Sequence, residues 1–143
     1  MPGRSAVSIR IGNWDDLRAL AEPLRHAVFV VEQKVPAELE LDEMDDVCEH
    51  AIASVGDETV GTARLLPDGH IGRMAVSAAW RGQGVGSALL HALLEQARRR
   101  GHARAVLHAQ VHARDFYARH GFVQTGGEFD DAGIPHVTME RSL

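Results

Sequence analysis

The sequence predicts a mixed α/β fold, a mostly antiparallel central sheet flanked by helices. Residues 49–55, 59–66 and 70–76 form three strand-like runs joined by the turn sequences Gly56-Asp57-Glu58 and Pro67-Asp68-Gly69, which gives an antiparallel meander. A helical run to Arg100 and a strand over 104–109 then place a strand–helix–strand step inside that sheet. Two short apolar runs, 122–125 and 136–139, read as a terminal β pair.

The remaining elements follow from local chemistry. Residues 6–11 alternate apolar and polar, as a half-buried strand does. Asn13 is placed to cap a helix with Asp15 and Asp16 in its first turn and Trp14, Leu17, Leu20, Ala21 and Leu24 at helical spacing. Pro23 should break or kink that run, because proline lacks the backbone donor, and a second helical turn over 26–31 should end at Glu32-Gln33. Val85, Ala88, Leu89, Ala92, Leu93 and Ala97 share one helical face. Arg98, Arg99 and Arg100 complement the C-terminal end of that helix dipole, and Gly101 should stop it. A short helix over 113–120 should stop at Gly121. The link 126–135 carries the turn signal Asp130-Asp131-Ala132-Gly133.

Size and composition limit the possibilities. The 143 residues suit one domain, 1–143, with 45% hydrophobic and 24% charged residues. No apolar run approaches the roughly 20 residues of a membrane span. Arg4 is not followed by the apolar segment of a signal peptide. Cys48 is the only cysteine, which excludes an intramolecular disulfide and suits a reducing, cytoplasmic setting. The net charge of −5 argues against nucleic acid and is compatible with a cationic small substrate.

The most informative stretch is Arg81-Gly82-Gln83-Gly84-Val85-Gly86, between the strand ending at Val76 and the helix. Glycines allow close backbone approach, and the unpaired N–H groups and dipole of a helix start favour a phosphate. No Lys follows Gly86, so this is not a Walker A loop, and the third glycine of a dinucleotide fingerprint is missing. The pattern that fits is R-x-x-G-x-G, through Arg81, Gly84 and Gly86; the alternative is a glycine-rich turn before a core helix. Here the chain resembles the GCN5-related N-acetyltransferases, the GNAT superfamily, and the resemblance implies the GNAT acyl-CoA N-acyltransferase fold. It also implies that acetyl-CoA, the co-substrate, is held by Met74, Ala75, Val76, Arg81, Gly82, Gln83, Gly84, Val85, Gly86 and Ser87.

A second stretch is similar to another GNAT signature: Gln110 stands in an Asn position, followed by Ala113, Phe116, Tyr117, Gly121 and Phe122. The resemblance puts Gln110 and Phe116 at the cofactor. Tyr117 is the only tyrosine. A phenol with an ordinary pKa near ~10 can protonate a leaving thiolate, so the resemblance makes Tyr117 the general acid rather than a packing residue.

The opposite end of the reaction needs a base, and Glu32, Asp45, Asp46 and His108 are candidates. Residues 28–33 and 133–136 look like the ElaA/YjcF-like branch of the superfamily, which implies that Glu32 and His136 lie on the acceptor side. Glu32, acting directly or through water, is the first choice; Glu32, Asp45, His108 and His136 are the expected acceptor contacts. The acidic run 35–46 reads either as a solvated loop or as a lip over the amine. No metal is expected, since the histidines lack ligand spacing. The expected activity is transfer of an acetyl group to a primary amine, in a small molecule or peptide, by direct attack in a ternary complex. The partners would include neither nucleic acid nor membrane, and the protein would be a monomer or homodimer. The alternative is a non-catalytic acyl-CoA-binding or regulatory domain.

Overall fold

In the computed structural model, which describes residues 6–143, the chain builds a seven-stranded sheet in the order β1-β2-β3-β4-β5-β7-β6. Arg4, read above for a leader, lies outside the described residues. Strand β1 (Ser8–Gly12) pairs antiparallel with β2 (Glu49–Val55), and β3 (Glu58–Leu65) and β4 (His70–Val76) complete the expected meander. Between β1 and β2 runs α1 (Trp14–Arg25), whose Asn13 side chain accepts the Asp16 N–H at 2.9 Å. It buries Trp14, Leu17, Ala21 and Arg25 along one stripe.

Pro23 does not end α1. The helix continues to Arg25 and then widens into a π-helical turn, His26–Glu32, in which the Gln33 N–H bonds the Val28 carbonyl at 3.0 Å. The turn buries Val28 and Phe29 and leaves Glu32 at the surface. The acidic run is also more ordered than a solvated loop. It holds a short helix, α2 (Ala37–Glu40), and a 3₁₀ turn, Glu43–Val47, capped by Asp42.

Helix α3 (Val85–Arg99) covers one face of the sheet. Its buried residues are Val85, Leu89, Leu90, Leu93, Leu94 and Ala97; Ala88 and Ala92, expected on that face, are half-buried. A Cβ on Gly61 of β3 would come within 2.8 Å of Val85, so a glycine there lets helix and sheet meet. Strand β2 serves both layers, with Ala51 and Ala53 in the α3 core and Ile52 packed with Trp14, Leu17 and Ala21, as strand alternation dictates. Gly101, at φ +83°, ends α3 in a Schellman arrangement, with His102 N–H bonding Ala97 O and Gly101 N–H bonding Arg98 O.

Strand β5 (Arg104–Gln110) is followed by a 3₁₀ turn, α4 (Arg114–Arg119) and a hairpin of β6 (Val123–Asp131) and β7 (Ile134–Ser142). The expected long link over 126–135 is corrected here: most of it is strand. The turn signal contracts to Ala132 and Gly133, both at positive φ, as a tight primed hairpin turn requires. No helix among the described residues is long and apolar enough to cross a membrane.

Candidate active site

Strands β4 and β5 are the sheet's parallel pair, and their ladder is two residue pairs long, His70↔Val106 and Ile71↔Leu107. Beyond it they part. Strand β4 carries a bulge where Arg73 and Met74 oppose Ala63 alone, with Arg73 at φ +48°. A cleft of about 1110 Å³ occupies the fork. It is lined by the end of β4, the start of α3, the π turn, β5 and α4.

The glycine-rich loop lies at this fork as expected. Gly84 is the N-cap of α3 at φ +85°, a left-handed conformation that favours glycine. The first intrahelical bond is Ala88 N–H to Gly84 O, so the amides of Val85, Gly86 and Ser87 precede it and are open to an anion. Gly86 has a packing duty too: a Cβ there would sit 3.3 Å from the Phe116 ring. Met74, Ala75, Val76, Arg81, Gly82, Gly84, Val85, Gly86, Ser87, Gln110 and Phe116 all line the cleft. Gln83 does not; its side-chain amide donates to the Ala79 carbonyl at 3.2 Å. The Gln110 amide faces Gln33 of the π turn, donating to it at 2.9 Å, which ties β5 to that turn.

Arg81 is held by two partners. Its Nε donates to the Val76 carbonyl at 3.0 Å, and its two terminal nitrogens grip Glu32 at 2.6 and 2.7 Å. The guanidinium holds the Glu32 carboxyl below the usual carboxylate range. Glu32, expected as the acceptor-side base, lines the cleft as the partner of Arg81, which makes it a poorer base. Tyr117 projects between Phe116 and Phe122, and its hydroxyl donates to Met74 Sδ at 3.7 Å. Burial pushes that phenol up to about 12. Ser87 Oγ lies 3.0 Å from His120 Nε2, a contact that places a second titratable group at the α3 start.

The expectation for Asp45 is corrected. It is 2% exposed and faces away from the cleft into a buried ion network. Arg25, 1% exposed, donates to both Asp45 oxygens at 2.8 and 3.2 Å and to Glu40 Oε1 at 2.6 Å, and stacks over Trp14 at 5.2 Å. Arg64 bonds Asp45 at 2.8 Å and Asp42 at 2.7 Å, and Arg73 reaches Asp42 at 3.2 Å. Three of the run's six carboxylates, Glu40, Asp42 and Asp45, are therefore taken up by arginines, and Asp45 is not offered to an amine. Asp46 is exposed beside Trp14 and Arg18, outside the cleft.

His108 and His136 do line the cleft, together with His70, which the sequence reading did not single out. His108 packs edge-on against Phe129 at 5.3 Å, and His136 stacks on the same ring at 5.8 Å. His136 Nδ1 lies 2.7 Å from the Ile134 carbonyl. Also unforeseen were Gln33, Arg73 and His120. Of these, His120 lay in the second signature, three residues after Tyr117, and Gln33 closed the branch-like stretch 28–33; Arg73 carried no sequence signal. Among the described residues no group of three or more His, Cys, Asp or Glu is placed to hold a metal ion.

A sheet that forks beside a glycine-capped helix start, with a tyrosine hydroxyl in the fork, is the arrangement of the GNAT fold. The family model for the Acetyltransferase (GNAT) domain matches residues 16–143. The uncharacterized N-acetyltransferase YjcF of Bacillus subtilis is 41% identical over 122 residues, covering 82% of this chain and 87% of YjcF. The crystal structure of an acyl-CoA N-acyltransferase from Pseudomonas aeruginosa superposes with a TM-score of 0.86 at 33% identity, over 96% of this chain and 100% of that one. Escherichia coli ElaA superposes with a TM-score of 0.85 at 30% identity, with the same coverage. The chain belongs to the GNAT superfamily, in its ElaA/YjcF-like branch.

Proposed function

We propose that this chain moves an acetyl group from acetyl-CoA to a primary amine by direct attack in a ternary complex, in the cytoplasm. The observation that carries this reading is the convergence of an anion-binding helix start and a protonated phenol in one fork of the sheet. The residues present suit such a donor. The open amides at the α3 start and Arg81 would take the diphosphate, and a cleft of about 1110 Å³ suits a long ligand. The parted edges of β4 and β5 offer backbone groups to an extended arm, as a sheet edge does to an added strand.

The bound donor supplies an activated thioester. The chain's own groups hold it, orient the amine and handle protons. Tyr117, kept protonated at physiological pH by burial, is a hydrogen-bond donor for the sulfur as charge builds there. A covalent acyl carrier is disfavoured at Cys48, which is buried outside the cleft with its thiol pushed up to about 11. Glu40, Asp42 and Asp45 contribute little attraction for a cationic acceptor, because Arg25, Arg64 and Arg73 pair with them or lie beside them.

Coenzyme A release measured with a panel of amines tests the reading. Turnover with at least one primary amine is expected, and Tyr117→Phe should lower kcat about 10²–10⁴-fold while keeping donor binding. Donor binding with no release for any amine would make the chain a non-catalytic acyl-CoA-binding domain.

A further inference from the structure

We propose that His108 is the general base that takes the acceptor's proton, an assignment that rests on the N-acetyltransferase reading above. Direct attack needs a group that lines the cleft, has a free lone pair and can return a proton to solvent. Glu32 is gripped by Arg81, Asp45 lies in a buried ion network, and Asp46 is outside the cleft. His120 bonds Ser87 at the cofactor end, and the Tyr117 phenol stays protonated. His136 is 9% exposed, so a proton accepted there has a poor exit.

His108 meets each requirement. It follows Leu107, the last β5 residue paired with β4, and so stands at the point where the fork opens. It lies on the strand face opposite buried Leu107 and Ala109, exposed to the cleft, and its ring nitrogens have no hydrogen-bond partner among the described residues. The ring is oriented from the side by Phe129 of β6. The titratable groups that face it are His70 on β4, 5.7 Å between ring centroids, His136 on β7, and Asp131 at the end of β6. Partial burial and His70, with a lesser push from His136, hold its pKa below the ordinary histidine value against the pull of Asp131. At neutral pH the imidazole is thus mostly the free base.

The step balances. The amine nitrogen's lone pair forms the new C–N bond at the acetyl carbon, and the C–S bond breaks with its electron pair on sulfur. The proton lost by nitrogen goes to His108 and then to solvent, and sulfur is protonated by Tyr117 or water.

The test is the pH–rate profile of coenzyme A release at saturating donor, for the wild type, His108→Gln and His108→Ala. In the wild type, activity should fall on the acid side with an inflection below about 6.5, as His108 protonates. His108→Gln should lower kcat about 10²–10⁴-fold, flatten that limb and leave the donor-induced rise in melting temperature unchanged. Added imidazole should restore turnover to His108→Ala. A retained acid limb in His108→Gln, or no rescue of a folded His108→Ala that still binds donor, overturns the assignment while the N-acetyltransferase reading stands. If the wild type turns over no amine, both fall.

Discussion

Two arginine–carboxylate sites lie on either side of the π turn, with the same chemistry and opposite settings. Arg25 is 1% exposed and bonds Glu40 and Asp45, which are 4% and 2% exposed. The side chains of Arg81 and Glu32 are 42% and 45% exposed at the mouth of the cleft. Both pairs are short and bidentate, yet burial gives them different roles. The buried network cannot lose a member without stranding a charge in a low-dielectric interior. The exposed pair can open because water takes over each half, which suits a guanidinium that must exchange a carboxylate for a phosphate.

The largest effect expected from breaking this comparison is at Arg25. Arg25→Met leaves Glu40 buried without its cation and Asp45 with Arg64 alone, and should cost about 3–5 kcal/mol, read from denaturant unfolding. A loss under about 1 kcal/mol would put this network on a par with a surface pair.

Next is Gly84→Asp, which sets a side chain and a negative charge at the α3 start beside Arg81. Acetyl-CoA at a hundred times its Kd should stabilise the wild type by about 2.7 kcal/mol. The variant should show no such rise in melting temperature. An undiminished rise in a folded variant would remove the phosphate role from the loop.

Acid sharpens the contrast further. Asp42 and Asp45 have folded pKa values below their unfolded ones, held down by Arg64 and by Arg25 with Arg64. Their stabilisation is complete above the unfolded value of about 3.9 and is lost as pH falls through the folded values. Buried His50, also depressed, adds a loss that begins as pH drops below about 6.5. The deficit of Arg25→Met should therefore shrink as pH falls through the depressed folded range of Asp45, where its carboxylate becomes protonated. A deficit that stays constant as the acid titration is carried to the point of unfolding would mean that the arginine acts through packing alone.

The smallest expected effect belongs to Glu32→Gln. Stability should change by less than about 1 kcal/mol and less still in high salt. Acetyl-CoA should bind at least as tightly, since Arg81 no longer has to leave a carboxylate. Calorimetric titration of the variant checks this, and a clear loss of affinity would mean that Glu32 helps to hold Arg81 in its binding pose.

Much of the fold was legible in the sequence because local signals wrote it. Gly56, Gly69 and Gly101 mark turns or helix ends where the structure has them at positive φ, and Asn13 caps the helix it precedes. Most of strand β6 was missed because it is exposed along its length and lacks apolar alternation, so only its first residues and its closing turn were visible. In the site, Arg81, Gly84, Gly86 and Tyr117 stood out through their spacing. The pairing of Arg81 with Glu32 spans 49 residues, and that of Arg25 with Asp45 spans 20. Such pairings are tertiary facts that composition cannot carry, which is why an acidic run read as either a solvated loop or a lip proved to hold three arginine partners, Glu40, Asp42 and Asp45. Arg25 left one trace: it extends the stripe of Trp14, Leu17 and Ala21, a place where a charge must be matched.

The short β4–β5 ladder has a mechanical consequence. Four strands, β1 to β4, and three, β5, β7 and β6, are each laced continuously, but they share a seam of two residue pairs. Helix α3 leaves one plate at the seam, returns to the other, and packs on β2, β3, β4 and β5 along the way. The angle between the plates is thus set by side-chain packing under a single strut. The ladders within each plate place no constraint on that angle, so the seam is the one line of the sheet whose geometry is fixed by helix packing and not by backbone hydrogen bonds.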